Sequence, residues 1–337
     1  MKVYELHHRP GLEALVLADR PSAPLQPNEV RLRVRAVSLN WRDTYLLKAA
    51  SAGELKRPVV PVSDGAGEII EVGAAVSRFK TGSRVIANCC PSWIEGQLTE
   101  RHMAAGLGIG VDGMLAQEVV LPEEALVALP EHLSFEEGAT LPCAGVTAWN
   151  ALFEIGRVRP GDVVLVLGTG GVSLFALQLA RAAGAEVIVT SKSAEKLSRA
   201  STLGATHAID YIATPDWSAR VLAITSGRGA DIALDVGGPG TFDQSVAALR
   251  FEGNLILIGT LTGFGGAIDT LAMIRKATRV SGVYIGPRRM LETLAHATHS
   301  SRMHPIIDEV YDFTEASQAY ERLGSGEHFG KVVIAIR

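Results

Sequence analysis

The stretch from Val163 to Gly184 constrains the fold more strongly than any other part of the chain. It reads VVLVLGTGGVSLFALQLARAAG, an unbroken apolar run that predicts a strand buried on both faces, followed by a glycine-rich turn and a helical pattern. Gly168 and Gly170 match the first two positions of G-x-G-x-x-G, where the backbone approaches a pyrophosphate at the start of a helix. The third position is Ser173, which is small enough for the helix to pack closely on the strand. The stretch predicts a dinucleotide-binding unit, although glycine-rich turns also serve purely structural roles.

The length of the chain, 337 residues, predicts two domains, because a single hydrophobic core rarely extends beyond about 250 residues. Apolar runs alternate with helical patterns from residue 145 to residue 286, which indicates a parallel sheet with helices on both faces. Residues 1–125 read instead as short strands separated by Gly, Pro and Asp, and Gly330–Ile336 resumes this strand-like character. We therefore predict an α/β protein in which a doubly wound domain, residues 145–286, is inserted into a β-rich domain made of residues 1–144 and 287–337.

Composition and charge argue against several classes of protein. The 32 Lys and Arg residues against 36 Asp and Glu residues give a formal net charge of −4, which does not suit a surface that binds nucleic acid or an anionic membrane. No apolar run reaches the ~18 to 20 residues of a membrane span, and the start, MKVYELHHRPG, has no apolar signal segment. The 3 cysteines are too few for a disulfide framework. We expect a cytoplasmic protein with a small-molecule substrate.

The end of the second predicted strand of the inserted domain bears on the choice of cofactor. NAD enzymes place an acidic residue there, which accepts a hydrogen bond from the ribose 2′-hydroxyl. This chain reads VTSKS at that point and has no acid before Glu195. Lys192 and Lys196 are able to meet a 2′-phosphate, with Ser191 as a neutral donor, so the sequence favours NADP(H) over NAD(H). The alternative is that both lysines only solvate a surface loop.

Four further motifs stand in a fixed order around the glycine-rich turn. They are SLNWRDTY from Ser38 to Tyr45, SDGAGE from Ser63 to Glu68, LPCAGVTA from Leu141 to Ala148, and GKVV from Gly330 to Val333. With the turn, they make the chain resemble the medium-chain dehydrogenase/reductase superfamily, which contains zinc-type alcohol dehydrogenases and zinc-free quinone-reductase-like enzymes. The resemblance implies a split GroES-like catalytic domain, a Rossmann domain and hydride transfer in the cleft between them. It also implies a homodimer that pairs the last Rossmann strand, near residues 281–285.

The positions that resemble the family's zinc ligands mostly carry residues unsuited to zinc. The resemblance puts the three ligands of a catalytic zinc at Asn40, Ser63 and Cys143, and of these only Cys143 is a usual zinc ligand. The lobe that holds four cysteines at the family's structural zinc resembles residues 88–113, which contain only two. We therefore expect no metal at either site. The alternative is a weak residual zinc site that uses Cys143 and Asp64.

Without a metal, another group has to stabilise the negative charge that hydride transfer leaves on the substrate oxygen. The first motif resembles the N-x-x-D-x-Y pattern of the zinc-free branch, which implies that Asn40 and Tyr45 face the nicotinamide as catalytic residues. A phenol, whose ordinary pKa is about 10, stays protonated at neutral pH and donates a hydrogen bond. In the alternative, Asn40 caps a turn and Tyr45 only packs. The resemblance also implies an ion pair between Asp64 and Lys331 near the pyrophosphate, and it puts Arg42 where alcohol dehydrogenases carry a proton-relay hydroxyl.

The resemblance further implies a set of residues that contact the cofactor. They belong to the glycine-rich turn, the nicotinamide side, the 2′-phosphate side and the last motif. The set is Thr147, Gly168, Gly170, Gly171, Val172, Ser191, Lys192, Lys196, Tyr211, Gly259, Val283, Ile285 and Lys331. Residues of these types also suit strand ends and turns on structural grounds alone.

These features together predict a zinc-independent, NADP(H)-dependent oxidoreductase. It transfers hydride to a quinone, an enone or another small apolar carbonyl compound, as quinone reductases do. One alternative is an alcohol or aldehyde dehydrogenase of the same superfamily. An alternative of another class is a nucleotide-binding protein with a structural or regulatory role and little turnover.

Overall fold

The computed structural model describes every residue from Met1 to Arg337 and divides into two compact units. The split unit consists of Met1–Val146 and Gly286–Arg337, and the inserted unit consists of Thr147–Ile285. These boundaries lie within two residues of the ones expected from the sequence. No helix in either unit has both the length and the apolar character to cross a membrane.

The strands are numbered in chain order. They are β1 (Lys2–Leu6), β2 (Leu15–Asp19), β3 (Glu29–Ser38), β4 (Asp64–Val72), β5 (Arg84–Ala87), β6 (Glu118–Pro122), β7 (Leu126–Ala128), β8 (Val163–Leu167), β9 (Glu186–Ser191), β10 (His207–Asp210), β11 (Ala230–Asp235), β12 (Leu249–Leu257), β13 (Arg279–Gly282), β14 (Ile307–Asp312) and β15 (Lys331–Ala335).

The α-helices are numbered in the same way. They are α1 (Trp41–Ser51), α2 (Glu100–Ala104), α3 (Phe135–Gly138), α4 (Val146–Trp149), α5 (Gly171–Ala182), α6 (Ala194–Thr202), α7 (Trp217–Ile224), α8 (Phe242–Ala248), α9 (Thr270–Lys276), α10 (Arg288–Ser301) and α11 (Ala316–Ser325). Shorter 3₁₀ turns span Gly11–Ala14, Glu123–Ala125 and Phe313–Glu315, and π-helical turns span Leu141–Gly145 and Asn150–Ile155.

In the split unit, a 7-stranded mixed sheet has the order β14-β15-β3-β4-β5-β7, with β6 paired to β3. Every second residue of β3 from Val30 to Val34 is buried, as expected for a strand with one face on a core. At the end of β3, Ser38 lies opposite Val333 of β15 on one side and Asp64 of β4 on the other. This register sets the end of β3 beside the start of β4 and beside β15, which positions the candidate site.

The inserted unit contains a 6-stranded parallel sheet in the order β10-β9-β8-β11-β12-β13. Counted from its own first strand this is 3-2-1-4-5-6, the order of a dinucleotide-binding Rossmann sheet. Every residue of β8 is buried, as the unbroken apolar run at Val163–Leu167 predicts. Because the strands all run in the same direction, their carboxyl ends and the loops that follow lie along one edge of the sheet.

Candidate active site

Asn40 follows β3, stands directly before α1 and is 8% exposed. Its backbone N–H donates to the Oδ2 of Asp43 at 2.8 Å, a contact that caps the first turn of the helix. Its side-chain Oδ1 accepts a hydrogen bond from the Nζ of Lys331 at 2.5 Å. An ammonium group only donates, so this contact identifies the amide oxygen and distinguishes it from the amide nitrogen. That nitrogen, Nδ2, is buried and has no hydrogen-bond partner.

Lys331 lies on β15 and is 3% exposed. Besides Asn40, its ammonium group donates to the backbone carbonyl of Leu39 at 2.6 Å. The ion pair between Asp64 and Lys331 that the resemblance implied is wrong, because Lys331 forms these bonds at the end of β3 while Asp64 has partners of its own. The antiparallel pairing of β3 with β15 explains the difference, since it brings the start of β15 to the end of β3.

Asp64, at the start of β4, is completely buried and has two cysteines beside it. Its Oδ1 accepts from the hydroxyl of Ser63 at 2.5 Å and lies 3.1 Å from the Sγ of Cys89. Its Oδ2 accepts from the backbone N–H of Cys143 at 3.1 Å. One donor atom from each of Asp64, Cys89 and Cys143 lies within 4.8 Å of the other two, and we call these three residues the Asp64 triad. Sequence reasoning missed Cys89, since it stands 25 residues beyond Asp64 and outside every motif.

Burial raises the pKa of two groups here, the Cys89 thiol and the Asp43 carboxyl. It raises the pKa of the Cys89 thiol, which the contact with Cys143 and the charge of Asp64 raise further. Asp43 is completely buried, and its Oδ1 has no partner. Burial raises the pKa of Asp43 to about 6, although the charge of Arg42 and the backbone N–H at its other oxygen both lower it. At neutral pH a buried carboxylate therefore lies beside the first turn of α1.

Arg42 supplies the positive charge next to these groups. Its Nη2 donates to the backbone carbonyl of Leu107, whereas its Nε is buried and has no partner. Burial lowers the pKa of Arg42, but nearby acidic groups raise it overall, with Asp43 first and then the members of the Asp64 triad. The guanidinium group is therefore a permanent cation within reach of the triad.

The backbone immediately before the Asp64 triad is strained. Val62 has a φ of 72°, a left-handed conformation that is unusual for a β-branched residue. Its surroundings hold it there: the Val62 carbonyl accepts from the N–H of Met114 at 2.7 Å, and a Cβ on Gly113 would lie 2.2 Å from the same carbonyl oxygen. Strained backbone is concentrated at functional sites, so Val62 is an independent indication that the next residues, Ser63 and Asp64, belong to one.

Tyr45 lies on α1, just over one turn beyond Asn40, and is half-buried. Its hydroxyl oxygen accepts a hydrogen bond from the Nε1 of Trp41 at 3.1 Å, and the two rings meet edge to face with centroids 6.5 Å apart. The ammonium group of Lys48 lies 5.9 Å from the centroid of the Tyr45 ring. These contacts fix the phenol on the same helix that begins after Asn40.

Of the three positions that resemble catalytic zinc ligands, two carry residues whose chemistry does not suit zinc. The oxygen of Asn40 already accepts from an ammonium group, and the hydroxyl of Ser63 donates to a carboxylate. Only Cys143 among the three is a usual zinc ligand. The donors that do lie close together are those of the Asp64 triad, and Arg42 carries a positive charge near them. A fixed cation at that place does not suit a divalent metal ion.

In the inserted unit, the glycine-rich turn joins β8 to α5. Gly168 has a φ of 76°, a left-handed conformation that favours glycine. Gly170 is the residue before α5, and Gly171 and Val172 form its first turn. The hydroxyl of Ser173 donates to the carbonyl of Leu167 at 2.8 Å, so the serine at the third motif position ties the helix closely to the strand. The first backbone N–H groups of a helix have no acceptor within it, so those of α5 are available to an anion.

The residues predicted to meet the 2′-phosphate lie around the ends of β9 and β10. Ser191 is buried at the end of β9, and its carbonyl accepts from the N–H of Tyr211 at 3.2 Å. Lys192 is exposed and Lys196 is half-buried in the first turn of α6. Asp210 stands opposite Ser191 in the sheet and is an acid that the sequence reading overlooked. Its Oδ1 accepts from backbone N–H groups of the following turn, so the carboxylate is engaged locally.

Three other predicted cofactor contacts, Gly259, Val283 and Ile285, follow the carboxyl ends of β12 and β13. Gly259 follows β12, and a Cβ there would lie 2.6 Å from the carbonyl oxygen of Val236, which only glycine avoids. Val283 follows β13 and donates its N–H to the end of β12 at 3.1 Å. Ile285 has a φ of 42°, and its carbonyl accepts from the Nδ2 of Asn150 at 2.6 Å. Thr147, the first residue of the unit, is buried in α4.

Comparison with known proteins agrees with the fold. Residues 26–131 match the family model of the alcohol dehydrogenase GroES-like domain, and residues 171–300 match that of the zinc-binding dehydrogenases. A zinc-type alcohol dehydrogenase-like protein of Schizosaccharomyces pombe is 43% identical over 93% of this chain and 92% of its own. A quinone oxidoreductase of Pseudomonas aeruginosa is 35% identical over 96% of both chains. The crystal structure of a NAD-dependent alcohol dehydrogenase superposes with a TM-score of 0.92 at 32% identity and covers 100% of both chains.

A split GroES-like unit with an inserted Rossmann sheet defines a nicotinamide-dinucleotide-dependent oxidoreductase. The chain belongs to the medium-chain dehydrogenase/reductase superfamily. The prediction of that superfamily and of its fold from five ordered motifs is confirmed.

Proposed function

We propose that this oxidoreductase is zinc-independent, uses NADP(H) and reduces a quinone, an enone or another small apolar carbonyl compound. The observation that carries the proposal is the amide nitrogen of Asn40, a buried donor without a hydrogen-bond partner. Leaving such a donor unpaired costs about 1 to 3 kcal/mol, so an unpaired donor in a native structure calls for a specific explanation. We assign the substrate oxygen as the missing partner.

The inserted unit suits a nicotinamide dinucleotide. The left-handed turn at Gly168 and the start of α5 offer backbone N–H groups to the pyrophosphate. We assign the 2′-phosphate of NADP(H) to Ser191, Lys192, Lys196 and Tyr211, which lie at or after the ends of β9 and β10. The cofactor supplies hydride when it is bound.

The split unit supplies the groups that stabilise the reduced oxygen. As negative charge grows on that oxygen, the Nδ2–H of Asn40 donates to it more strongly. Lys331 holds the Oδ1 of Asn40, so the amide does not reorient during the reaction. The hydrogen bond from Trp41 fixes the oxygen of Tyr45, whose hydroxyl donates to the substrate directly or through water.

A substrate panel tests the proposed reaction. Purified protein of measured zinc content is given NADPH with quinones, enones and aldehydes, and oxidation of the nicotinamide is followed by absorbance. We expect turnover with quinones or enones that a chelator leaves unchanged. Turnover restricted to alcohols and aldehydes, and lost with the metal, would identify an alcohol dehydrogenase. NADPH binding without turnover on any substrate would favour a nucleotide-binding protein of another kind.

A double substitution tests the choice of cofactor, which the NAD-dependent structural neighbour makes a real question. Ser191→Asp with Lys192→Ala adds an acceptor for a ribose 2′-hydroxyl and removes a partner of a 2′-phosphate. We expect the ratio of kcat/KM for NADPH to that for NADH to fall at least about 10-fold, which corresponds to about 1.4 kcal/mol. The exposed Lys80→Ala in the split unit is the control. An unchanged ratio would contradict the assignment.

We also propose that two copies pair through the inserted unit. β13 is the edge strand of its sheet, so one side of that strand is open to pairing. The segment between β12 and α9 and α9 itself expose large apolar side chains, with Phe264 77% and Ile274 74% exposed. Sedimentation should show a dimer that Phe264→Asp with Ile274→Asp converts to monomer. Ile212→Asp, at a 66% exposed apolar residue after β10, is the control. A wild-type monomer would contradict the proposal.

A further inference from the structure

The Asp64 triad and Arg42 form a combination that neither the fold nor the proposed hydride transfer requires. Two thiols and a carboxylate within 4.8 Å of one another are a ligand set that a thiophilic divalent cation could use. Two of the three, Cys89 and Asp64, are completely buried. Such a set, with no other feature, would predict a metal centre. The residue that changes this expectation is Arg42.

Backbone contacts connect the guanidinium group of Arg42 to the triad. Its Nη2 donates to the carbonyl of Leu107, and the N–H of Leu107 donates to the carbonyl of Cys89 at 2.9 Å. Leu107 thus links the guanidinium group of Arg42 to the backbone of Cys89 through two hydrogen bonds. Its electrostatic partners include Cys143, Cys89 and Asp64, in addition to its neighbour Asp43. The positive charge therefore acts on all three donors at once.

A guanidinium group and a divalent cation compete for the same place. Thiolate ligands form only when the thiols lose their protons, and a metal ion compensates the charge that results. Here a monocation that never loses its proton already compensates the carboxylates of Asp43 and Asp64. A dication that entered the triad would gain less from these anions and would be repelled by Arg42. The Nε of Arg42 lacks a partner, so the guanidinium is kept in this place without full hydrogen bonding.

We propose that Arg42 is the permanent cation of this site and excludes a divalent metal ion from the Asp64 triad. The inference rests on the proposed function only in its independence from zinc, and it names the residue responsible. Arg42 is a positioning residue here, because it acts on the triad and not on the substrate. The hydrogen bonds through Leu107 and the charge that Arg42 exerts on all three residues of the triad carry this assignment.

Substitution of Arg42 by a neutral polar residue tests the proposal. Arg42→Gln keeps a side-chain N–H donor on a shorter side chain and removes the charge. Wild type, Arg42→Gln and the charge-preserving Arg42→Lys are incubated with zinc, freed of loose metal by gel filtration and analysed for zinc by atomic emission. We expect about one zinc per chain in Arg42→Gln and at least about 10-fold less in wild type and Arg42→Lys. Loading with cobalt should give the near-ultraviolet absorption of cobalt–thiolate bonds only in Arg42→Gln.

Two double variants show where the metal is bound. Adding Cys89→Ser or Cys143→Ser to Arg42→Gln should abolish the zinc and the cobalt–thiolate band. Stoichiometric zinc in wild type that Cys89→Ser removes would overturn the proposal, and so would a folded Arg42→Gln protein that binds no zinc. If Arg42→Gln does not fold, Arg42→Met gives the same test with a larger apolar side chain, and the wild-type zinc titration decides if neither folds. None of these readings uses NADPH oxidation, so failure of this inference and failure of the substrate panel are distinguishable.

Discussion

Asp235 in the inserted unit and Asp43 in the split unit are both completely buried, but they differ in how many hydrogen bonds they accept. Asp235, at the end of β11 in the inserted unit, accepts four hydrogen bonds at 2.6 to 2.9 Å. Its donors are the backbone N–H groups of Gly237 and Gly238 and the hydroxyls of Thr241 and Ser245. Asp43, in the split unit, accepts one hydrogen bond through Oδ2, and its Oδ1 has no partner.

Asp235 holds a loop in place, whereas Asp43 lies among buried polar groups that lack partners. All the donors to Asp235 stand within 10 residues after it, so a local network closes the loop after β11. Around Asp43, the Nδ2 of Asn40 and the Nε of Arg42 are also buried without partners. Polar groups left in this state lower stability, and natural proteins retain them mainly at functional sites. Substitutions should therefore affect stability in the first network, and activity or pH dependence in the second.

The largest effect is expected at Asp235. Asp235→Ala removes the acceptor of four hydrogen bonds at a completely buried position, so the free energy of unfolding should fall by about 3 to 5 kcal/mol, near 1 kcal/mol for each bond. Urea unfolding measures the change. Asp243→Ala, at an exposed aspartate of the neighbouring helix, is the control and should change stability by less than about 0.5 kcal/mol. A loss at Asp235 no larger than the control would remove the contrast between the two carboxylates.

Titration of Asp43 should make the free energy of unfolding depend on pH. Its folded-state pKa is raised from 3.8 to about 6, so between these values the folded protein binds more protons than the unfolded chain. The contribution of Asp43 is therefore fully present below pH 3.8 and is lost as the pH rises through about 6, by about 3 kcal/mol in all. Asp43→Asn, which carries no titratable proton, should lack this decline in urea unfolding between pH 4 and pH 7. An identical pH profile in wild type and variant would show that Asp43 titrates normally.

Asn40→Asp separates the two functions of the Asn40 side chain. The variant keeps an oxygen for Lys331 and replaces the unpaired Nδ2–H with a second oxygen. We expect kcat to fall about 100-fold or more, the usual effect of removing one oxyanion donor, with little change in the unfolding midpoint. Asn28→Asp makes the same change of charge at an exposed residue of the same unit and should leave kcat unaltered. A normal kcat in Asn40→Asp would exclude the amide as the donor to substrate.

The smallest effect is expected for the second proposed donor. Tyr45→Phe removes the hydroxyl that accepts from Trp41 and should lower kcat about 10-fold, within the range of a single contribution to proton transfer, while NADPH affinity stays the same. Steady-state kinetics and cofactor titration measure the two quantities. Tyr311→Phe loses a hydroxyl that bonds only a surface glutamate and serves as the matched control. If both variants turn over like wild type, Tyr45 only packs.

The residues that the sequence predicted well are those whose environment depends on their neighbours in the chain. The run at Val163–Leu167 and the glycine at 168 predict a buried strand and a tight turn because periodicity and glycine conformation are local properties. The Asp64 triad could not be predicted in this way, since Cys89 and Cys143 stand 25 and 79 residues beyond Asp64. Those contacts depend on long-range packing, on which periodicity carries no information.

The contacts of Lys331 also depend on long-range packing. The resemblance paired Lys331 with the wrong oxygen. A lysine side chain reaches several acceptors from one backbone position, and only the register of β15 on β3 selects Leu39 and Asn40 among them. Asp210 was overlooked for a similar reason, because only the pairing of β10 with β9 sets it beside Ser191.

The contact between Lys331 and Asn40 also has a consequence for biosynthesis. The two residues are 291 positions apart, with the whole inserted unit between them. At a usual translation rate, Asn40 leaves the ribosome about 15 to 60 seconds before Lys331 does. The inserted unit is complete once Ile285 has been added, before β15 is made, so for the last part of that interval the amide of Asn40 still lacks the lysine that holds it. The hydrogen bonds at the end of β3 therefore form only at the end of synthesis, after the inserted unit has been made.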